Sequence, residues 1–212
     1  ADIERALAGG QIITKSVAIL SREFTVPATG LVTSKLYVYD LPGFPNTQVY
    51  EPGDYIRVRT VDRSGGGMSI LDAWGVVTNY QDNATYAGPE GEQRWDWETL
   101  YYSTGAIVGK KAPKDGLALD YGHPDDGGGY IESLATGLFT PYIQVVTWVT
   151  NPWLSANRTV QGRYGNLDGI TDINLNPTGY GFYTKNGYLD GTIYAREGRI
   201  LNNVIIGAGS MP

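Results

Sequence analysis

"YIQVVTWVT", Tyr142 to Thr150, decides the fold class. Ile143, Val145, Thr147 and Val149 alternate there with Tyr142, Gln144, Val146 and Trp148. A period of two puts the two sets on opposite faces of a strand, and β-branched and aromatic residues suit a pleated backbone. The same period runs through "DYIRVRTVD" (residues 54–62), where Ile56, Val58 and Thr60 oppose Tyr55, Arg57 and Arg59. It recurs in "WDWETLYYST" (95–104), with Trp95 and Trp97 opposite Asp96 and Glu98. "IITKSVAIL" (12–20), "LVTSKLYVYD" (31–40), "ILDAWGVVTNY" (70–80) and "GLALDYG" (116–122) add further strands. Proline- and glycine-rich stretches separate them: "DLPGFPNTQVYEPGD" (40–54), "DRSGGGMS" (62–69) and "HPDDGGG" (123–129). Such spacing predicts an all-β chain with a β-sandwich or small barrel over residues 11–160.

Composition agrees. The chain has 212 residues with 29 glycines, 16 tyrosines and five tryptophans, and glycine stands at about twice its usual frequency. A hydrophobic content of 42% is enough for a true core, which excludes a disordered chain. The absence of cysteine rules out disulfides and thiolate zinc sites. A net charge of −6, with no basic cluster longer than Lys110–Lys111, argues against nucleic acid. No apolar run approaches the ~18 residues that membrane insertion needs. "ADIERALAGG" (1–10) lacks the layout of a signal peptide. It reads as a short helix, capped by Asp2, with Ile3 and Leu7 on one face and Gly9–Gly10 as its stop. So short a helix is marginal alone, and suits the end of an upstream coiled coil. With the abrupt "GAGSMP" at the other end, the chain is expected to be a piece of a longer one.

After Gln161 the character changes. Over residues 161–212 the apolar dashes shrink to two to four residues between glycines. Strands so short cannot bury a core within one chain, but three copies round a common axis can. Tyr188, Leu189, Ile193, Ile200, Val204, Ile205 and Ile206 are placed for that role, so residues 161–212 predict an interlaced homotrimeric β-fibre neck.

The segment "GNLDGITDINLNPTGYGFYTKNGYLDGTIYAREGRI" (165–200) resembles one found in tail-fibre and tail-tip proteins of tailed bacteriophages and prophages. Their pattern is met by Gly165, Asn166, Asp168 and Gly169, then Gly179, Tyr180 and Gly181, then Tyr188, Leu189, Gly191 and Ile193, closing at Ile200. The likeness is most specific over 165–200 and extends less closely over 116–164. It implies a non-enzymatic structural component of the virion tail, extracellular in use though made in the bacterial cytoplasm. Its implied partners are two further copies of itself and other phage tail proteins, in support of host attachment; the residues themselves lead to the expectation of no cofactor and no metal site.

The lone His123, in "YGHPDDGGG", has no second histidine for a metal set, and a solvated turn residue is the plainer reading. One histidine, no cysteine and no G-x-S-x-G leave no nucleophilic triad. "GAIVGKK" (105–111) misses the phosphate-loop spacing. "DINLN" (172–176), with Asp172, Asn174 and Asn176, lacks the glycine and glutamate of a calcium loop. A glycoside hydrolase needs only two carboxylates, for which Asp96, Glu98, Asp115, Asp120, Asp125 and Asp126 are candidates. A capsule depolymerase is therefore an alternative. Another is a module recognising a host surface glycan, with Trp95, Trp97, Trp148 and Trp153 as stacking residues. Against this stands the view that these tryptophans fill the core.

Overall fold

The computed structural model describes residues 11–14, 17–30, 34–40, 47–62, 69–83, 86, 88, 91–102, 108–171 and 176–188. The expected helix over 1–10 and the neck residues Leu189, Gly191, Ile193 and Ile200 lie outside the described residues. Apart from two single-turn 3-10 segments, every regular element among the described residues is a strand. No helix among them is long and apolar enough to cross a membrane. The chain is all-β.

The strands run β1 (Gln11–Thr14), β2 (Val17–Ile19), β3 (Phe24–Thr25), β4 (Ser34–Tyr39) and β5 (Tyr55–Asp62). They continue with β6 (Ser69–Asp82), β7 (Glu92–Tyr102), β8 (Lys111–Ala112), β9 (Leu117–Asp120) and β10 (Gly129–Leu134). Last come β11 (Tyr142–Trp148), β12 (Arg158–Asn166) and β13 (Tyr180–Thr184). Six form one sheet in the order β2-β9-β5-β6-β7-β4, and five another in the order β1-β10-β11-β12-β13. A two-stranded ribbon, β3-β8, completes the set. All the pairings are antiparallel.

The six-stranded sheet is buried on one face and, around β9, β5 and the middle of β6, on the other as well, which explains the composition there. Ala18, Leu36, Val38, Ile56, Val58, Ala73, Val77, Trp95, Trp97 and Ala118 turn to one side. There they meet Phe24 and Ala112 of the ribbon and the loop residues Val49 and Tyr50. Their neighbours Val17, Tyr55, Trp74, Leu117 and Leu119 turn to the other side and pack on Tyr130, Val146 and Trp148 of the five-stranded sheet. A strand covered on both faces reads as nearly continuous apolar sequence, as "LALD" does in β9.

The boundary expected at 160/161 falls inside β12, which runs unbroken from Arg158 to Asn166. Residues 161–184 therefore supply most of β12 and all of β13, two of the five strands of that sheet. Leu167, Ile170 and Tyr183 form a small third core with Val160 at the open end of these strands.

Candidate functional site

Trp95 and Trp97 are fully buried and offer no face to a sugar. This corrects the alternative in which these two stack on a glycan. Trp97 donates its indole N–H to Thr99 Oγ1 at 2.7 Å, and its ring meets Phe24 edge-on at 5.1 Å. Trp95 contacts Tyr50 in the same way at 5.7 Å. Trp148, 2% exposed, is likewise a packing residue: it donates to Tyr121 O at 2.9 Å and stacks on Tyr55.

Trp153 differs. It sits in the β11–β12 connection, a loop braced by its own hydrogen bonds. Val149 N–H donates to Asn157 O at 2.9 Å, and Asn151 Oδ1 accepts from Leu154 N–H at 3.1 Å. Asparagine accepting from the backbone a few residues on is a local turn device, and Pro152 follows it. The loop sets Trp153, half-buried, parallel to Tyr101 at 5.8 Å and tilted against Trp74 at 5.9 Å.

Beside it lies a cleft of roughly 280 Å³ between the two sheets. Arg57, Asp72, Trp74 and Tyr101 line it from the six-stranded sheet, with Tyr121 just beyond β9. Tyr130, Glu132 and Arg158 line it from the other sheet, and Pro152 and Trp153 from the loop. On its floor Arg57 donates to Asp72 Oδ2 at 2.5 Å and to Tyr121 Oη at 2.8 Å. Arg59 donates to Asp72 Oδ1 at 2.9 Å. Opposite, Glu132 Oε2 accepts from Gln144 Nε2 at 2.5 Å, and Gln144 Oε1 accepts from Arg163 at 2.7 and 2.9 Å. Arg158, exposed at the rim, donates to Tyr130 Oη at 3.4 Å.

The electrostatics suit holding a polar ligand more than proton transfer. Burial opposes the charge on Arg57, but Tyr121 and Asp72 beside it hold its pKa above the ordinary value. Burial would raise the Asp72 carboxyl, yet Arg57 and Arg59 outweigh it and keep it below the ordinary value. Burial, with Glu132 adjacent, pushes the Tyr142 hydroxyl up to about 12. Asp72 is thus a committed carboxylate, unsuited to act as a general acid. The carboxylates considered for hydrolysis lie elsewhere. Asp96 on β7 pairs with Lys35 and accepts from Asn79, and Asp120 accepts from Gly122 N–H. Glu98 belongs to β7, Asp115 precedes β9 in a turn, and Asp125 and Asp126 form an exposed 3-10 turn capped by His123 Nδ1. Among the described residues no three histidine, aspartate or glutamate side chains gather as metal ligands.

Asp72, Glu92 and Asp96 all have folded pKa values below their ordinary ones. Groups of this kind stabilise the fold above the unfolded carboxylate pKa of about 4, and lose that contribution as pH falls through the lower folded values. The melting temperature by calorimetry should therefore be flat from about pH 7 to 5 and fall steeply below about pH 4. Asp72→Asn should remove part of that acid drop. A flat profile down to about pH 2 would contradict it.

The motif residues build the β12–β13 hairpin. Asn166 Oδ1 accepts from Asp168 N–H, and Asp168 Oδ1 from Gly179 N–H, both at 2.9 Å, while Leu167 N–H donates to Gly179 O at 2.7 Å. Gly165 (φ 124°) sits where a Cβ would lie 2.6 Å from Pro141 O, so a side chain would push β12 off β11. Arg163 donates to Asp168 O at 3.2 Å, linking this loop through Gln144 to Glu132 in the cleft. Gly169 lies in the loop, Tyr180 and Gly181 in β13, and Tyr188 beyond it, almost fully exposed. As far as Tyr183 these residues serve the sheet of a single chain.

Beside the apolar residues Tyr130, Val146 and Trp148, the five-stranded sheet also buries a row of polar ones, and it turns apolar residues outward. Its buried row is Glu132, Gln144, Arg163 and Tyr183, aligned across β10 to β13. The adjacent outward row is Ser133, Ile143, Tyr164 and Phe182. Ile131 and Val145 lie beside it as the next pair, and Tyr180 two residues before Phe182. The apolar members of this face are exposed from 46% at Val145 to 73% at Tyr180. A shallow groove lies among Ile143, Val145, Tyr164 and Phe182. The chain matches no protein-family model, no curated protein and no solved structure.

Proposed function

We propose that this chain is a non-enzymatic structural part of a phage tail fibre or tail tip, acting as a homotrimeric connector in the virion that supports host attachment. The carrying observation is the outward apolar row. Tyr164, Tyr180 and Phe182 at about 70% exposure, with Ile131, Ile143 and Val145, amount to an apolar patch on the order of 500 Å². A patch of that size is often functional, and this one suits a surface that meets another protein. The occupant that fits is a second copy of the chain. The patch leads through β13 towards the glycine-punctuated sequence after Tyr188, whose apolar dashes are too short to bury a core alone, and residues 165–200 carry the tail-fibre resemblance. Three copies would bury in common what each exposes, and the negative net charge would keep the particle soluble.

Light scattering after size exclusion tests this. The full chain should weigh three times the 23.0 kDa of one copy. A chain cut after Gln161 would lose half of β12, so the informative truncation ends at Tyr188. A monomeric full chain would remove the physical basis of the reading.

A further inference from the structure

We infer that the cleft between the two sheets is a saccharide-binding site, with Trp153 and Tyr101 as its apolar wall and Glu132 and Arg158 as its polar readers. A pyranose ring has a C–H face and a rim of hydroxyls, and sites that hold one join aromatic surface to charged hydrogen-bonding groups. The cleft has both, from five strands and a braced loop. The indole N–H of Trp153 and the hydroxyl of Tyr101 make no hydrogen bond among the described residues. Arg158 is exposed, pairs with no carboxylate among the described residues, and makes only a long hydrogen bond to Tyr130. Arg57 and Asp72 below them are held by each other, so the floor keeps its charges without a ligand and stays preorganised. At roughly 280 Å³ the cleft is at the lower limit for small-molecule sites, which fits one or two sugar units and not a long chain.

The cleft and the outward apolar row lie on opposite faces of the same sheet. Glu132 turns into the cleft while its neighbours Ile131 and Ser133 turn out. A trimer formed through the outward row would leave three clefts open, and binding to a densely displayed sugar would gain from effective concentration. The site itself does not depend on the trimer.

The test uses the full chain. Saturation-transfer NMR would be run with glucose, galactose, N-acetylglucosamine and glucuronic acid, and a printed glycan array would follow. At least one sugar should show transfer to its ring protons. Arg158→Ala should weaken its binding about tenfold or more, the size expected for losing a charge-assisted hydrogen bond. Trp153→Phe, which keeps an aromatic ring but removes the indole N–H, should weaken it less. Glu132→Gln reports on the opposite wall, and near-UV circular dichroism checks that each variant is folded. Absence of binding on both the panel and the array would overturn the inference. So would binding that is undiminished in folded Arg158→Ala, Trp153→Phe and Glu132→Gln. A monomeric full chain that still binds would sink the trimer reading alone.

Discussion

Phe182→Asp is expected to turn a trimer into a monomer. Phe182 is 70% exposed on β13, so within one chain the change touches little and should move stability by no more than about 0.5 kcal/mol. In a trimer built on the outward row the same side chain is desolvated three times over. An unpaired buried carboxylate costs several kcal/mol, and three of them near a common axis also repel one another. The expected result is one copy's 23.0 kDa by light scattering, with unchanged circular dichroism. Val108→Asp, at a half-exposed position in the turn before β8 and outside the five-stranded sheet, should leave the trimer intact. A Phe182→Asp protein that stays trimeric would move the contact away from this face. The same variant should keep its affinity for a free sugar while losing avidity on an array, which separates assembly from recognition.

Strands and their two faces were legible in the sequence; which face turns inward was not. In β5 the sets Ile56, Val58 and Tyr55, Arg57 separate as alternation predicts. In β11 the sets are right, yet the more apolar one, with Ile143 and Val145, faces out and Gln144 faces in. Gln144 is buried because Glu132 and Arg163 come from neighbouring strands to satisfy it, and register across strands cannot be read from one of them. The expected boundary at Gln161 falls inside β12 for a similar reason. Gly162 and Gly165 look like breakers, but both pair within the sheet, opposite Val145 and Tyr142. The cleft was the least legible feature, since Arg57, Asp72, Tyr101, Glu132 and Arg158 are scattered along the chain. Its one local signal was charge within apolar strands, as in "YIRVR" and "ILDAW".

Trp97→Ala should cost stability, not specificity. The side chain is fully buried, and replacing a buried tryptophan by alanine costs about 3–5 kcal/mol through lost transfer energy and the cavity left behind. Two local features push towards the upper end. Thr99 loses the indole N–H that it accepts at 2.7 Å. The void is also walled by backbone: a Cβ on Gly75 would stand 2.4 Å from the Trp97 ring and 2.5 Å from Glu98 O, so β6 already lies against β7 and has little room to collapse. For a domain of this size each kcal/mol lowers the melting temperature by about 2–4 °C, so a fall on the order of 10–15 °C is expected. Gly75→Val should destabilise from the other side of the same contact, because its side chain and the Trp97 ring need one space. Any loss of sugar binding in Trp97→Ala should therefore track the unfolded fraction and disappear on cooling. Arg158→Ala should behave in the opposite way, with an unchanged melting temperature and weakened binding at every temperature. A Trp97→Ala protein with native stability and no affinity would place the recognition surface on the buried face of β7, against the packing seen there.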